Sequence, residues 1–298
     1  MQTLFIGQSY IDITFITDHM PTGDEKVLAE KYAVSFGGNA VTAAFCCARL
    51  GIKPELLTSL ADDWLGGMFK DMAARDGIQI HARLVKESSL SFIMPNDGKR
   101  AIVRCRDDHY LNPVPELDLT GCRGLHLDGH QPEAALHYAR LCREQGILTS
   151  LDGGGLRGNT EELLEYIDIA IVAERLCEQM AMTPEEMLPY LKGKGCKVVG
   201  VTQGSRGMIW QDVTGDVQHL PALPVPRDKV IDTNGAGDVF HGAYMYSWLA
   251  DPARSWLDHF KFARAASTHA IQHLGNAVSI PTLRDVARAR EEYEPLLG

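Results

Sequence analysis

Residues 230–243, Val-Ile-Asp-Thr-Asn-Gly-Ala-Gly-Asp-Val-Phe-His-Gly-Ala, place three small residues directly ahead of a carboxylate and an apolar helical stretch that runs to about Leu249. Without side-chain bulk at Gly235, Ala236 and Gly237, backbone N–H groups can converge on a phosphate at a helix N-terminus, where the helix dipole also favours negative charge. Asp238 then sits in the first turn beside that phosphate. A carboxylate there opposes simple anion binding, yet it suits group transfer, because it can orient an attacking hydroxyl and accept its proton. The plainer reading of Asp238 is a helix cap after a glycine turn. A GxxxxGK[ST] loop is absent, as is a Gly-rich loop combined with HRD and DFG, so phosphoryl transfer on this chain needs a different apparatus.

Such a loop has to be carried by a sheet. Apolar segments at 3–7, 55–60, 124–128, 148–152, 167–172 and 198–202 read as buried strands. Helical patterns at 40–50, 64–75 and 132–145 lie between them and stop near Gly51, Gly77 and Gly146. This alternation predicts a three-layer α/β/α domain with a mostly parallel central sheet covered on both faces. Two regions break the rhythm with strands that have no helix between them: 10–17 with 27–35, and 89–94 with 99–106. The second pair turns at Asn96-Asp97-Gly98, a tight-hairpin signal. Together they predict a small antiparallel β lid, formed by about 10–35 and 89–106, within a single domain spanning 1–298. Alternation puts Ile11, Ile13 and Phe15 on one face of the first lid strand and Asp12 and Thr14 on the other. The polar face would cover a substrate. The apolar face would meet either a second lid, making a homodimer, or the chain's own main domain.

Composition narrows the field. The 298 residues are 45% hydrophobic and 23% charged, which is ordinary for a globular protein. With 29 basic against 39 acidic residues the net charge is −10, which disfavours nucleic acid as the main partner. The start lacks a basic n-region and no apolar run approaches the roughly 18 residues of a membrane span, so the expected setting is cytoplasmic, without a membrane partner. Seven cysteines form no CxxC and cannot all pair internally; most read as reduced core residues rather than a zinc site or a nucleophile.

Asp232-Thr-Asn-Gly-Ala-Gly-Asp238 resembles the second signature of the ribokinase, or PfkB, family of carbohydrate kinases. Ser35-Phe-Gly-Gly-Asn-Ala40 resembles the first signature, residues 7–12 resemble the substrate-binding end of the first strand, and Val201-Thr-Gln-Gly-Ser-Arg-Gly207 resembles the strand end at the nucleotide loop. The resemblance runs along nearly the whole chain. It implies ATP along one sheet edge with Mg2+, and a sugar or sugar derivative between lid and sheet. On it, Asp238 is the catalytic base, and the backbone of Gly235, Ala236 and Gly237 is the anion hole. Asp12, Gly38 and Asn39 hold substrate hydroxyls, and a carboxylate accepting two hydroxyls suits a vicinal diol. Thr202, Gly204 and Gly207 border the phosphates and ribose, and Gly275-Asn276 borders the adenine. Asp232 and Ser279 fall where potassium-activated members line a monovalent-cation site, or are turn residues. Two departures stand out. Glu174 alone remains of an Asn-x-x-Glu pattern linked to magnesium, and acts through water or as a helix-start acid. Thr42 stands where members commonly carry Asn. The resemblance also admits a nucleoside kinase or a catalytically silent sugar or nucleotide sensor.

The lid adds Arg104 and Arg106 on one face of the strand at 101–106, opposite Ala101, Val103 and Cys105. Two guanidinium forks so spaced either clamp a carboxylate, phosphate or sulfonate, or are solvated and pair with Asp107 and Asp108. Asp128, His130, Gln131 and the run Asp152-Gly-Gly-Gly155 follow strands at the edge where open α/β sheets place ligands.

Overall fold

The computed structural model describes residues 1–96 and 99–297. In chain order the strands are β1 (Thr3–Gly7), β2 (Tyr10–Ile16), β3 (Lys31–Gly37), β4 (Pro54–Leu60), β5 (Gln79–Leu84), β6 (Leu90–Asn96), β7 (Lys99–Cys105), β8 (Gly124–Leu127), β9 (Leu148–Gly153), β10 (Ile169–Ala173), β11 (Val198–Thr202), β12 (Met208–Gln211) and β13 (Gln218–Leu220). The helices are α1 (Asn39–Leu50), α2 (Trp64–Arg75), α3 (Pro132–Glu144), α4 (Thr160–Leu164), α5 (Glu174–Gln179), α6 (Pro184–Gly193), α7 (Ala236–Ala250), α8 (Trp256–Ala270), α9 (Asn276–Ser279) and α10 (Leu283–Tyr293).

Nine strands form the main sheet in the order β13-β12-β11-β10-β9-β8-β1-β4-β5, parallel from β5 to β11 and antiparallel beyond. Strand β1 shows why it needs helices on both sides: Leu4 and Ile6 enter the core under α3, α4, α5 and α6, while Phe5 enters the core under α1, α2, α7, α8 and α10. The six strands expected from apolar runs are present within two residues at each end. Strands β5, β12 and β13 were not legible as apolar runs. Strands β5 and β13 are the sheet's two edges, where one flank is open and a continuous apolar sequence is not required, and β12, paired on both sides, is only four residues long.

From β1 the chain adds β4 and β5 to one side and later β8, β9, β10 and β11 to the other. The crossovers therefore diverge between β1 and β8, and a crevice opens at the carboxyl ends of those strands.

Strands β3-β2-β6-β7 form the lid. It corrects the antiparallel expectation: β2 pairs antiparallel with β3 and β6 with β7, but β2 and β6 run parallel. Each leaves the carboxyl end of a parallel main-sheet strand, β1 or β5, so the two start in the same direction. The expected strand at 27–35 begins only at Lys31, and the chain before it is irregular. Asp97 and Gly98 of the expected turn lie outside the described residues. Asp12, Thr14, Ser35 and Ser91 on the inner face are buried. On the outer face Ile11 packs into the main core, whereas Tyr32, Val103 and Phe92 are 70%, 67% and 38% exposed.

Helices α1 and α7 pack together behind the crevice. A Cβ on Gly242 would fall 2.3 Å from the Ala43 carbonyl oxygen and 2.7 Å from Cys46 Cβ. Gly242→Ala should therefore destabilise the fold by about 1–3 kcal/mol. Gly67→Ala in α2, where an added Cβ meets nothing within 4 Å, should stabilise it by about 0.5–1 kcal/mol. Urea unfolding midpoints of the two variants measure both, and a tolerated Gly242→Ala would contradict this helix contact.

Candidate active site

The lid's first strand delivers Asp12 to the crevice, 3% exposed. Its carboxylate lies so close to the backbone that a Cβ on Gly37 would sit 2.3 Å from it. Gly38, with φ +106°, then opens α1, and a Cβ there would meet the Gln8 carbonyl oxygen at 2.0 Å. The two adjacent glycines thus let strand β3, strand β1 and the Asp12 carboxylate converge. Asn39, the first residue of α1, donates through Nδ2 to Asp152 Oδ2 at 3.1 Å.

Asn234 Nδ2 donates to Asp12 Oδ2 at 3.4 Å, so the lid carboxylate touches the small-residue loop. Oδ1 of Asp12 makes no hydrogen bond among the described residues. Burial pushes the Asp12 carboxyl up from its ordinary value, opposed by the neighbouring Ser91 hydroxyl, the Arg104 guanidinium and Asn234. Four residues beyond Asn234, Asp238 lies in the first turn of α7. That helix starts from Gly235 at φ +73° with no side-chain cap, and Gly235 leaves room for Asn276 Oδ1, which a Cβ would approach to 2.3 Å. The arrangement joins a buried carboxylate, a helix N-terminus suited to an anion and a second carboxylate in the first turn of that helix. Asn234 and Gly37 were not singled out as contacts from sequence, although both sit inside the two quoted signatures.

The nucleotide-side residues fall at neighbouring strand ends. Thr202 closes β11, and Gly204 and Gly207, both with positive φ, flank the single turn Gly204–Arg206 before β12. Arg206 forms an ion pair with Glu174 at the start of α5. Asn276, expected at the adenine border, turns its side chain inward. It is 1% exposed and donates through Nδ2 to the Phe36 carbonyl at 2.9 Å and to Thr42 Oγ1 at 3.4 Å. Its side chain therefore braces the first signature against the second, and Thr42 serves as one of its acceptors.

Asp232 and Ser279, the candidates for potassium, make turn bonds. Asp232 accepts from the N–H groups of Asn234 at 2.8 Å and Gly275 at 3.2 Å, and Ser279 donates to the Asn276 carbonyl at 3.3 Å. Among the described residues no group of three acidic, histidine or cysteine side chains is assembled for a metal. Glu174 beside Thr202 and Arg206 fits an ion that arrives on nucleotide phosphates and keeps its waters, as Mg2+ does.

The other strand-end carboxylates differ from one another. Asp128 accepts from the N–H groups of Ala40 at 3.1 Å and His130 at 2.9 Å, so it caps the first turn of α1 from inside. Burial opposes its ionisation, but His130 and Arg157 prevail and hold its carboxyl well below the usual range. Of the lid arginines, Arg106 pairs with Asp108 at 2.9 Å, whereas Arg104 stands over the Tyr10 ring at 5.1 Å and faces Asp12 electrostatically. Both guanidinium groups act on the Tyr10 hydroxyl electrostatically, so the two forks meet at one ring, with Arg106 also held by Asp108.

Comparison with known proteins identifies the family of the chain. The profile of the pfkB family carbohydrate kinases matches residues 2–283. The chain is 25% identical over 261 residues to an ATP-dependent ribose-1-phosphate kinase of Halopiger xanaduensis, covering 84% of this chain and 86% of that one. It is 25% identical to the ribokinase of Lactococcus lactis over 97% of both chains, and 28% identical to an aminoimidazole riboside kinase of Salmonella typhimurium over 78% of both. The ribokinase structure of Thermotoga maritima superposes with a TM-score of 0.82 at 23% identity, covering 98% of this chain and 99% of that one. That of Arabidopsis thaliana ribokinase complexed with ribose and ATP gives 0.81 at 22%, covering 97% and 98%. At these identities the structures bear on the fold.

Because burial raises the Asp12 pKa, the folded state holds its proton more tightly than the unfolded chain does. Stability from this group is greatest below the unfolded pKa of about 3.9 and falls as pH rises through the folded value. Asp12→Asn should therefore raise Tm by a few degrees near pH 8, with the gain shrinking toward about pH 4. Calorimetry at the two pH values checks this, and a loss of Tm near pH 8 would contradict the burial argument.

Proposed function

This chain belongs to the pfkB family of carbohydrate kinases and is an ATP-dependent phosphotransferase acting on a sugar or nucleoside; we propose that its acceptor is a primary alcohol of a small sugar or sugar derivative. The observation that carries this reading is the contact between Asp12 and Asn234. It sets a buried carboxylate with one unpartnered oxygen against the loop that leads to Asp238. An unpartnered acceptor in the interior costs free energy until a donor arrives, and a sugar hydroxyl is such a donor.

In this reading Asp12 Oδ1 and Asn39 bind acceptor hydroxyls and fix the sugar. The reacting hydroxyl then points at Asp238, which accepts its proton as the oxygen attacks the γ-phosphorus of ATP. The N–H groups of residues 235–237 and the α7 dipole stabilise charge on the transferring phosphoryl group. Mg2+ supplies charge neutralisation on the phosphates when bound, with Glu174 the carboxylate placed to meet its waters. The lid excludes water, so that hydrolysis of ATP does not compete.

The lid's outer face supports a second proposal, a homodimer through the lids. Tyr32, Phe92 and Val103 form one apolar patch, and a two-fold axis would set it against its own copy.

A screen of ADP release over ketoses, aldoses, sugar acids, sugar phosphates and nucleosides tests the reaction. Turnover should appear with a sugar, and Asp238→Asn should lower kcat by about 10²–10⁴ while acceptor binding persists. Preferential turnover of nucleosides would make this a nucleoside kinase, and binding without turnover by the wild type would mark a sensor. Light scattering tests the assembly: the wild type should be a dimer and Phe92→Lys/Val103→Lys a monomer. A monomeric wild type would remove the lid pairing.

A further inference from the structure

Behind the crevice, five polar side chains that the proposed reaction does not touch are joined in the interior. Asp152 ends β9 next to Asn39; His126 on β8, Ser150 on β9, and His241 and Tyr244 on α7 are all buried. Asp152 Oδ2 accepts from Asn39 Nδ2 at 3.1 Å, and Oδ1 faces His241 Nε2 at 3.5 Å. His241 Nδ1 lies 2.9 Å from the Tyr244 hydroxyl, which lies 2.6 Å from Ser150 Oγ, itself 3.0 Å from His126 Nδ1. His126 Nε2 makes no hydrogen bond among the described residues, so the chain ends there beside Phe5. Apolar side chains could fill this volume without the desolvation cost of five polar groups. The chain runs from α1, which carries Asn39, to the turn of α7 that follows Asp238 by three residues.

The hydrogen-bond chemistry allows this chain two directions. An ionised Asp152 can only accept, so His241 must present Nε2–H to it. The neutral imidazole then offers Nδ1 to the Tyr244 hydroxyl, tyrosine oxygen accepts from Ser150, and Ser150 accepts from His126 Nδ1–H. One proton added at Asp152 reverses every bond. Asp152 donates to His241 Nε2, His241 Nδ1–H donates to Tyr244, Tyr244 to Ser150, Ser150 to His126 Nδ1, and the His126 proton moves to Nε2. The two states differ by that single proton; each contact from Asp152 to His126 is satisfied in both, whereas the bond from Asn39 keeps a charged acceptor only in the first and is weaker in the second.

We propose that Asp152, His241 and Tyr244 are positioning residues for the acceptor: ionised Asp152 locks the Asn39 amide with Nδ2 toward the strand end and Oδ1 toward the sugar, and the chain behind it ties that lock to the helix bearing Asp238. Burial pushes the Asp152 carboxyl up to about 7, with Asn39 opposing, and pushes His241 down to about 3. Asp152 is therefore the group that titrates near neutrality and His241 stays uncharged. The groups facing Asp152 are Asn39 from α1, Asp128 and His130 from the end of β8, Arg157 from the loop after β9, and His241 from α7. The inference rests on the kinase reading only for what Asn39 does to the acceptor.

Two readouts on the full chain test it. In protein labelled with ¹⁵N-histidine, ring nitrogen shifts of His241 and His126 should change tautomer together between about pH 5 and pH 9, and both should stay fixed in Asp152→Asn. In Tyr244→Phe, which keeps the ring volume and breaks the chain, His241 should still switch while His126 no longer follows. Fixed tautomers in the wild type, or His126 following in Tyr244→Phe, would overturn the chain. The kinetic readout is KM for the acceptor, which should rise about tenfold as pH falls through the same transition, with KM for ATP unchanged. In Asp152→Asn it should be raised and flat. A merely structural role would lower Tm without moving this pH profile, and a flat wild-type profile beside switching tautomers would overturn the positioning role. If Asp152→Asn does not fold, Tyr244→Phe carries both readouts. Absence of turnover with every acceptor would sink the kinase reading, and the tautomer measurement would still decide the chain.

Discussion

A carboxylate withdrawn from water needs donors, and Asp12 finds too few of them inside this protein. One oxygen receives a long bond from Asn234, and the other receives none among the described residues. The surroundings are arranged around that deficit. Gly37 removes the Cβ that would occupy the carboxylate's position, Gly38 lets the chain turn into α1 beneath it, and the lid strand that carries Asp12 is held over the crevice by its pairing with β3 and β6. A hydroxyl-bearing ligand is the donor this geometry lacks, and its arrival would join lid, first signature and second signature through one group.

The crevice contains carboxylates that share a residue type and differ in everything else. Asp128 is turned inward, where it caps α1 through the Ala40 N–H and is kept ionised by His130 and Arg157 despite its burial. Asp152 is equally buried, but its neighbours compensate less, and its proton stays on to about 7. Asp12 lies between them in character, raised by burial and restrained by Arg104 and Asn234. Hydrogen-bond donors and charges around each group decide how strongly burial raises its pKa. Glu174, at the start of α5, forms its ion pair with Arg206.

Much of the fold was legible because parallel strands covered on both faces must be nearly continuous apolar runs, and the helices between them end in glycines. The edge strands β5 and β13 escaped for the complementary reason: an edge tolerates polar residues, so residues such as Gln79, His81 and Arg83 hide the pattern in β5, while the four residues of β12 are too few to show one. Within the site, Asp12 was legible from strand alternation, which separates it from Ile11 and Ile13. Asn276 was legible as part of a loop but not as a buried brace, because its partners, Phe36 and Thr42, are more than two hundred residues away in the chain.

Residue order by itself determined the alternating layers, the small-residue loop ahead of Asp238, the polar and apolar faces of the first lid strand and the resemblance to a family of kinases. Each of these is local: periodicity, glycine placement and motif spacing act over a few residues. Tertiary structure alone decided that β2 and β6 run parallel, that Arg106 pairs with Asp108, and that Asp152 connects through His241 and Tyr244 to His126. Those outcomes depend on which distant segments share a hydrogen bond or a low-dielectric interior. Distance in space and loss of water set such interactions, and neither is written in the spacing of residues along the chain.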